Sequence, residues 1–233
     1  FGQVAYRNAG TSVRLLAFGG KEQTYMAWDY ASKEEMAEYG RRYNPCGKYT
    51  ASDGSTAFYD DQTDNYIQHH FHLLFSQTLS DRMNLNVGLH YTKDDGYYNQ
   101  YKTGRTLAEY GLEPFYIDGE KVKKSDLIRL KKNDNGFGGG VFSLSYNHGR
   151  VLAVLGGALN NFRGHHFGQI AWVRNYVGPI NPLQEYYRNL GEKLDGNIYA
   201  RANVAIASGL SAFGDLQYRH IDYKITGRSD NFD

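Results

Sequence analysis

The chain has 233 residues and a formal net charge of +1, so charge offers no argument for binding nucleic acid. A single cysteine, Cys46, excludes an internal disulfide bond and a metal site built from several cysteines. No stretch reaches the roughly 20 consecutive apolar residues that a membrane-spanning helix needs. The 21 tyrosines and 12 phenylalanines favour β structure instead.

The first part of the chain predicts two strands and a polar excursion. In chain order these elements are a strand tail at 1–7, a tight turn at 8–11, a long strand at 13–28 and the excursion at 29–59. The long strand is apolar early and polar late, which predicts a strand that leaves a membrane and continues into solvent. Within the excursion, Ser32 and Glu35 form a capping-box pattern that predicts a short helix, closed by Gly40.

The stretch 66–98 predicts a hairpin of two long strands around a polar turn at 80–84. Apolar and polar side chains alternate along both halves, so each strand has one apolar and one polar face. The alternation outlasts the usual strand of about 5–6 residues and suits the roughly 9–11 residues of a membrane-crossing strand. The apolar positions are Ile67, Phe71, Leu73, Phe75, Leu79, Leu85, Val87, Leu89 and Tyr91. This hairpin is typical of an outer-membrane barrel.

Four more strands are predicted beyond the hairpin. They are expected at 136–146, 151–162, 196–207 and 210–225, with turns at 147–150 and 208–209 and long excursions at 103–135 and 163–193. Within the first of these excursions, Asp118 and Gly119 predict a small hairpin turn. The charged run 123–132 in the same excursion predicts a solvated loop.

The connections alternate in length along the chain. Tight turns are expected near residues 9, 82, 148 and 209, and long loops at 30–58, 103–135 and 163–193. Bacterial outer-membrane barrels have short periplasmic turns and long external loops. The sequence therefore predicts an all-β fold, an antiparallel meander of about eight long strands that forms a segment of a transmembrane β-barrel.

Several stretches also resemble one family, the TonB-dependent outer-membrane receptors, and within it the iron-transport branch. The stretches lie at 16–28, 42–47, 64–66, 89–92, 96–101 and 126–129, and in LGGALNNFRGHHFG at 155–168 with Trp172, Tyr186 and Tyr187 after it. The resemblance implies a barrel of 22 strands around an N-terminal plug. Neither the plug nor the TonB box is recognised in 1–233, so the chain is expected to be a partial barrel domain.

The same resemblance implies location in the bacterial outer membrane and energy-dependent import of a scarce ligand. The ligand would be a small molecule such as a ferric siderophore, haem or cobalamin. The implied partners are the TonB complex, reached through an N-terminal region that these residues lack, and outer-membrane lipid. No nucleic acid, cofactor, metal site or catalytic residue is expected, and the chain is not expected to be an enzyme.

Six residues are candidates for ligand contact because they are expected at the outer strand ends or on external loops. Aromatic and cationic groups there could hold an anionic or aromatic ligand, although they could equally form the external aromatic belt. The candidates are Tyr97, Tyr98, His165, His166, Trp172 and Arg174. His70 and His72 are expected on one strand face, but as a nonspecific pair with no third histidine or carboxylate beside them.

Two other classes of function remain open. A passive porin or adhesive barrel would show the same alternation of strands and loops. An outer-membrane hydrolase would need a serine, a histidine and an acid brought together. Ser145 and His148 are close in sequence but have no acid nearby.

Overall fold

The computed structural model describes residues 1–180 and 184–230 and consists mainly of one antiparallel sheet. Strands that follow one another in this sheet are also spatial neighbours, which confirms the predicted meander of eight long strands. In order these strands are β1 (Gly2–Arg7), β2 (Thr11–Tyr25), β5 (Thr63–Ser80), β6 (Met83–Thr106), β9 (Lys124–His148), β10 (Val151–Val173), β11 (Glu185–Ala207) and β12 (Leu210–Gly227).

The remaining elements are short and lie in two of the long connections. They are helix α1 (Lys33–Tyr39), the hairpin β3 (Lys48–Thr50) and β4 (Thr56–Phe58), a 3₁₀ helix (Leu107–Tyr110) and the hairpin β7 (Phe115–Ile117) and β8 (Glu120–Val122). The capping box is confirmed: Glu35 N donates to Ser32 Oγ at 3.1 Å, and Ser32 N donates to Glu35 Oε2 at 2.9 Å. The turn at Asp118 and Gly119 is also confirmed, with φ values of 49° and 85°.

The connections are sorted by length between the two ends of the sheet. At one end lie the tight turns 8–10, 81–82, 149–150 and 208–209, and at the other lie the long connections 26–62, 107–123 and 174–184, the last containing the undescribed residues 181–183. Asn8 closes the first turn, since its Oδ1 accepts from Gly10 N at 3.1 Å and Thr11 N at 3.0 Å. The predicted alternation of turns and loops is therefore confirmed.

The predicted extent of two excursions is wrong. Strand pairing continues through most of 103–135 and 163–193, so the charged run 123–132 lies mainly in β9 rather than in a solvated loop. His165 and His166, expected at the start of a loop, are likewise inside β10. In these strand ends both faces carry polar side chains, so the alternation that marks a strand in sequence disappears.

The two faces of the sheet differ near the tight turns, where one is almost wholly apolar and the other mixes polar groups with exposed apolar side chains such as Val141 and Leu152. The face we call the apolar face carries one row across all eight strands, formed by Tyr6, Val13, Phe75, Val87, Phe142, Gly157, Ile198 and Tyr218. Ile198 on it is 49% exposed, and Leu159 is 58% exposed. The opposite, polar face holds the Arg201–Asp215 ion pair at 2.7 Å and the His90–Asn160 hydrogen bond at 2.9 Å.

The apolar face changes character farther from the tight turns. There it carries the ion pair of Lys93 with Asp134, and the pair of Arg163 with Glu192 at 3.6 Å. Along β6 the apolar positions run from Met83 to Tyr91, and Lys93 is the next residue on that face. An apolar band of about nine residues is about 30 Å long at roughly 3.4 Å per residue.

The buried apolar residues described by the structure all lie at the long-loop end. The main cluster combines Leu107, Tyr110, Leu112 and Phe115 from one connection with Leu127, Ile170, Val173, Tyr186 and Tyr187 from strand ends. Among the described residues, no second layer packs on the middle of the sheet. Within 1–180 and 184–230, no helix has the length and apolar character needed to cross a membrane.

Candidate functional site

Three cations and two tyrosines lie together on the polar face at the long-loop end. We call this set the cation–tyrosine cluster: Lys102, Arg129, Lys131, Tyr98 and Tyr187. The Lys131 ammonium lies 5.9 Å from the ring centroids of both Tyr98 and Tyr187, within the range of a cation–π contact. Tyr98 was predicted as a ligand contact from the sequence, whereas the other four residues were not.

Strand register brings this cluster together. Tyr98 on β6 pairs with Lys131 on β9, Lys131 pairs with Gly168 on β10, and Gly168 pairs with Tyr187 on β11. A side chain at Gly168 would collide with the rings of Tyr186 and Tyr187. The glycine therefore lets the Tyr187 ring lean across β10 toward Lys131.

Arg129 is fixed next to Lys131 by two hydrogen bonds. Its Nε donates to Gln100 Oε1 at 2.9 Å, and its Nη1 donates to Tyr110 OH at 3.2 Å. The second bond ties the strand face to the 3₁₀ helix in the connection 107–123. The guanidinium is thus held in place beside the polar face.

The electrostatics of the cluster favour an anion. Burial, followed by the charges of Arg129 and Lys102, lowers the pKa of Lys131 to about 8. Burial raises the pKa of Tyr98, and raises that of Tyr187 to about 12. The tyrosines are therefore neutral at physiological pH. An anion bound here would relieve the repulsion among three cations.

Tyr97 and His165 lie on the apolar face, opposite Tyr98. Tyr97 lines a cavity of about 660 Å³ with Lys132 and Phe167. His165 lines a separate cavity of about 530 Å³ with Lys93, and its Nδ1 is buried without a hydrogen-bond partner. These two predicted contacts are therefore separated from the cation–tyrosine cluster by the sheet itself.

Trp172 and Arg174 lie in a group of contacts with Tyr101, Thr50 and Asp126, which we call the polar clip. Arg174 Nη2 donates to Tyr101 OH at 2.8 Å and to Thr50 O at 3.1 Å, and lies 3.3 Å from Asp126 Oδ2. The Trp172 ring lies 6.1 Å from that of Tyr101. Burial, and then the hydrogen bond to Asp126, raise the pKa of Tyr101 to about 12. The clip fastens the connection 26–62 to the strand ends.

The histidines of the polar face have partners within the sheet. His166 Nδ1 lies 3.2 Å from Asn189 Oδ1, and His70 Nδ1 lies 3.0 Å from Thr92 Oγ1. His72 faces His90 across β5 and β6, so the expectation that no third histidine accompanies His70 and His72 is wrong. Over the described ranges, no three His, Cys, Asp or Glu side chains are grouped so that they could hold a metal ion.

A buried carboxylate that the sequence did not reveal lies between this cluster and the tight turns. Asp94 Oδ2 accepts from Tyr66 OH at 2.7 Å, from Asn135 Nδ2 at 2.7 Å and from Asn133 Nδ2 at 3.1 Å. Tyr66, Asp94 and the two asparagines come from three strands, so only the register shows them as one network. Three donors on one carboxylate make it a fixed part of the wall.

Comparison of the chain with protein-family models gives no match, and a search of curated proteins gives none either. The family resemblance of the sequence therefore stays a prediction. The case for a function rests on the two faces of the sheet and on the cation–tyrosine cluster.

Proposed function

We propose that the chain forms part of the wall of an outer-membrane receptor that imports a scarce, anionic small molecule. In this proposal the apolar face contacts lipid and the polar face lines the lumen. The tight turns lie in the periplasm and the long connections outside the cell. No catalytic step is assigned to any residue.

The observation that carries the proposal is the apolar row across eight strands, in which Tyr6, Phe142, Ile198 and Tyr218 are exposed, together with the ion pairs and hydrogen bonds of the opposite face. Soluble monomers rarely expose contiguous apolar patches of more than a few hundred Å². A band about 30 Å long on strands tilted by about 45° gives a height near the roughly 25 Å of a barrel's apolar belt. On β9, β10 and β11 this belt contains no Asp, Glu, Lys or Arg, whereas Asp222 on β12 lies at its outer edge beside Leu194.

The proposed wall needs further strands to close. Among the described strands, β1 and β12 are each paired on one side only. In lipid, every unpaired backbone group on such an edge would cost several kcal/mol. The 22 strands implied by the family resemblance would close the wall, and the plug and TonB contact belong to the same implication.

The cation–tyrosine cluster supports the ligand-binding part of the proposal. It lies on the proposed lumen side, at the end where a ligand would arrive from outside. Aromatic rings and cations suit a flat anion, such as an aromatic iron chelator. Tyr98 and His166 lie on this face, whereas Tyr97 and His165 would face the outer-leaflet region.

Uptake by cells that carry the complete polypeptide tests this function. A deletion strain is grown on a panel of iron chelates, haem and cobalamin, and the complementing ligand is then radiolabelled. Energy-dependent import predicts that an uncoupler abolishes accumulation. Accumulation at an unchanged rate under the uncoupler would support a passive porin and would overturn the proposal.

A further inference from the structure

The segment after β12 places a carboxylate in the cation–tyrosine cluster. Gly227 ends β12 with φ at 107°, and Arg228 N then donates to Arg188 O at 2.8 Å. The chain turns from there toward β9, where the Asp230 carboxylate forms an ion pair with Lys131. The side chains of this pair are 25% and 16% exposed, respectively.

The path of this segment crosses the sheet. Asn189, next to the Arg188 anchor, is on β11, and Lys131 is two strands away on β9. At about 4.8 Å between strands, the segment spans about 10 Å. It therefore lies over the polar face, on the side where the proposed ligand would bind.

Asp230 does not balance the charge of the cluster. Asp230 pairs with Lys131 only, and Asp29 also acts on Lys102, so the positive charges of the cluster are only partly offset. A partly buried cation without a partner is unfavourable, which gives the chain a reason to place an acid here. The excess charge leaves room for a stronger anionic competitor.

We propose that the cation–tyrosine cluster binds the carboxylate of a planar aromatic ligand, and that Asp230 occupies this position until the ligand displaces it. The inference rests on the proposed ligand-binding role of the polar face. The Asp230 carboxylate marks where the ligand carboxylate binds. The rings of Tyr98 and Tyr187 flank that position and provide surfaces for a flat ring.

Displacement needs only the Asp230 side chain to leave Lys131, because the segment is also anchored apart from the ion pair. Arg228 N donates to Arg188 O at 2.8 Å, and Asn189 Nδ2 lies 3.5 Å from Arg228 O. A ligand that replaces the carboxylate and adds ring contacts would make interactions that Asp230 cannot. Asp230 is therefore an internal competitor that sets a threshold for ligand affinity.

Calorimetric titration of the complete polypeptide in detergent tests this inference. The probe is benzoate, and its uncharged isostere benzamide is the matched control. Asp230→Asn should tighten benzoate binding by about tenfold and leave benzamide binding unchanged. Asp222→Asn removes an exposed carboxylate from β12, and it should change neither affinity.

Lys131→Gln tests the ligand site separately from the competition by Asp230. It should abolish the preference for benzoate over benzamide, and adding Asp230→Asn to it should have no further effect. If Lys131→Gln weakens benzoate binding but Asp230→Asn does not tighten it, Asp230 is no competitor and the inference is overturned alone. If neither substitution changes benzoate binding, the ligand site of the proposed function fails as well. Heat-modifiable gel mobility confirms that each variant is folded.

Discussion

Tyr199 and Gly156 are direct partners across β11 and β10, and the Tyr199 ring fills the space above the glycine. Three more pairs repeat this relationship, namely Tyr66 with Gly96, Tyr91 with Gly138, and Tyr187 with Gly168. A slip of one residue would place each ring on the wrong face of its neighbour. These pairs therefore help to fix the strand register.

Gly156→Ala should destabilise the sheet by about 1–3 kcal/mol, the usual cost of overpacking. The new Cβ would overlap the Tyr199 ring rather than backbone atoms. In a Tyr199→Ala background the same change should therefore cost little. Denaturant unfolding of the unchanged chain, the two single variants and the double variant gives the coupling free energy between Gly156 and Tyr199. Gly20→Ala is the control, since nothing lies within 4 Å of its new Cβ; equal losses at both glycines would contradict the account.

Ile198→Arg should lower the folded yield, whereas Asn197→Arg should have little effect. The two residues point to opposite faces of β11, and an arginine near mid-membrane costs about 2–4 kcal/mol on a lipid-facing position. Val204→Arg should cost less than Ile198→Arg, because Val204 is closer to the tight turn at 208–209.

Spin labels at the same two positions give the direct measurement. A label at 198 should be relaxed by oxygen dissolved in lipid, and a label at 197 by an aqueous nickel chelate. Two labels that both report only water would show that this strand is outside the membrane.

Binding of an anion to the Asp230→Asn chain should weaken as the pH rises above about 8. Burial, followed by the charges of Arg129 and Lys102, lowers the pKa of Lys131 to about 8, so the free amine loses its charge above that pH. A bound anion restores the charge, so binding takes up a proton and affinity falls by up to about tenfold per pH unit.

Two control chains isolate this effect. Lys131→Arg keeps its charge throughout the range, so its affinity should stay flat between pH 7 and 9.5. The chain with Asp230 should bind benzoate more weakly than Asp230→Asn over the whole range, because the carboxylate competes with the anion for Lys131. Benzoate titrations at several pH values compare the three chains, and identical profiles would contradict the assignment to Lys131.

Arg174→Gln should loosen the connection 26–62 and leave ligand affinity unchanged. The guanidinium bridges Tyr101, Thr50 and Asp126 on the side away from the cation–tyrosine cluster. Limited proteolysis should cut this connection several times faster in the variant. Arg41→Gln, an exposed change within the same connection, should leave the rate unchanged. A loss of ligand affinity in Arg174→Gln would instead restore this residue to the ligand site.

An epitope inserted after Gly119 should bind antibody on intact cells. The same epitope after Gly209 should bind only after the outer membrane is permeabilised. Gly119 is the tip of the β7–β8 hairpin in a long connection, and Gly209 lies in a tight turn. The reverse labelling pattern would invert the proposed orientation.

The sequence predicts the parts of the fold where one face is apolar and the other polar. The β5–β6 hairpin and the tight turns follow from alternation and from turn residues such as Asn8 and Gly209. Alternation fades where β9 carries Lys131 and Lys132 on opposite faces, and the strand ends were missed there. Local patterns in sequence do not reveal pairing over such distances.

The candidate site was harder to predict because it depends on register. Arg129 and Lys131 share a face in any strand, but only pairing with β6 and β11 brings Tyr98 and Tyr187 to them. The same holds for His72 and His90, which are 18 positions apart in sequence. Tyr97 and Tyr98 look equivalent as neighbours, and the pleat sends them to opposite sides.

The outermost strand has a practical consequence for anyone who purifies this polypeptide. All 18 residues of β12 are exposed, and one side of its backbone has no partner among the described strands. Such an edge is a template on which another chain can add a strand. Copies of this chain produced alone should pair through their β12 edges and form oligomers of mixed size. A complementary fragment supplied during refolding would cap the edge and keep the preparation uniform.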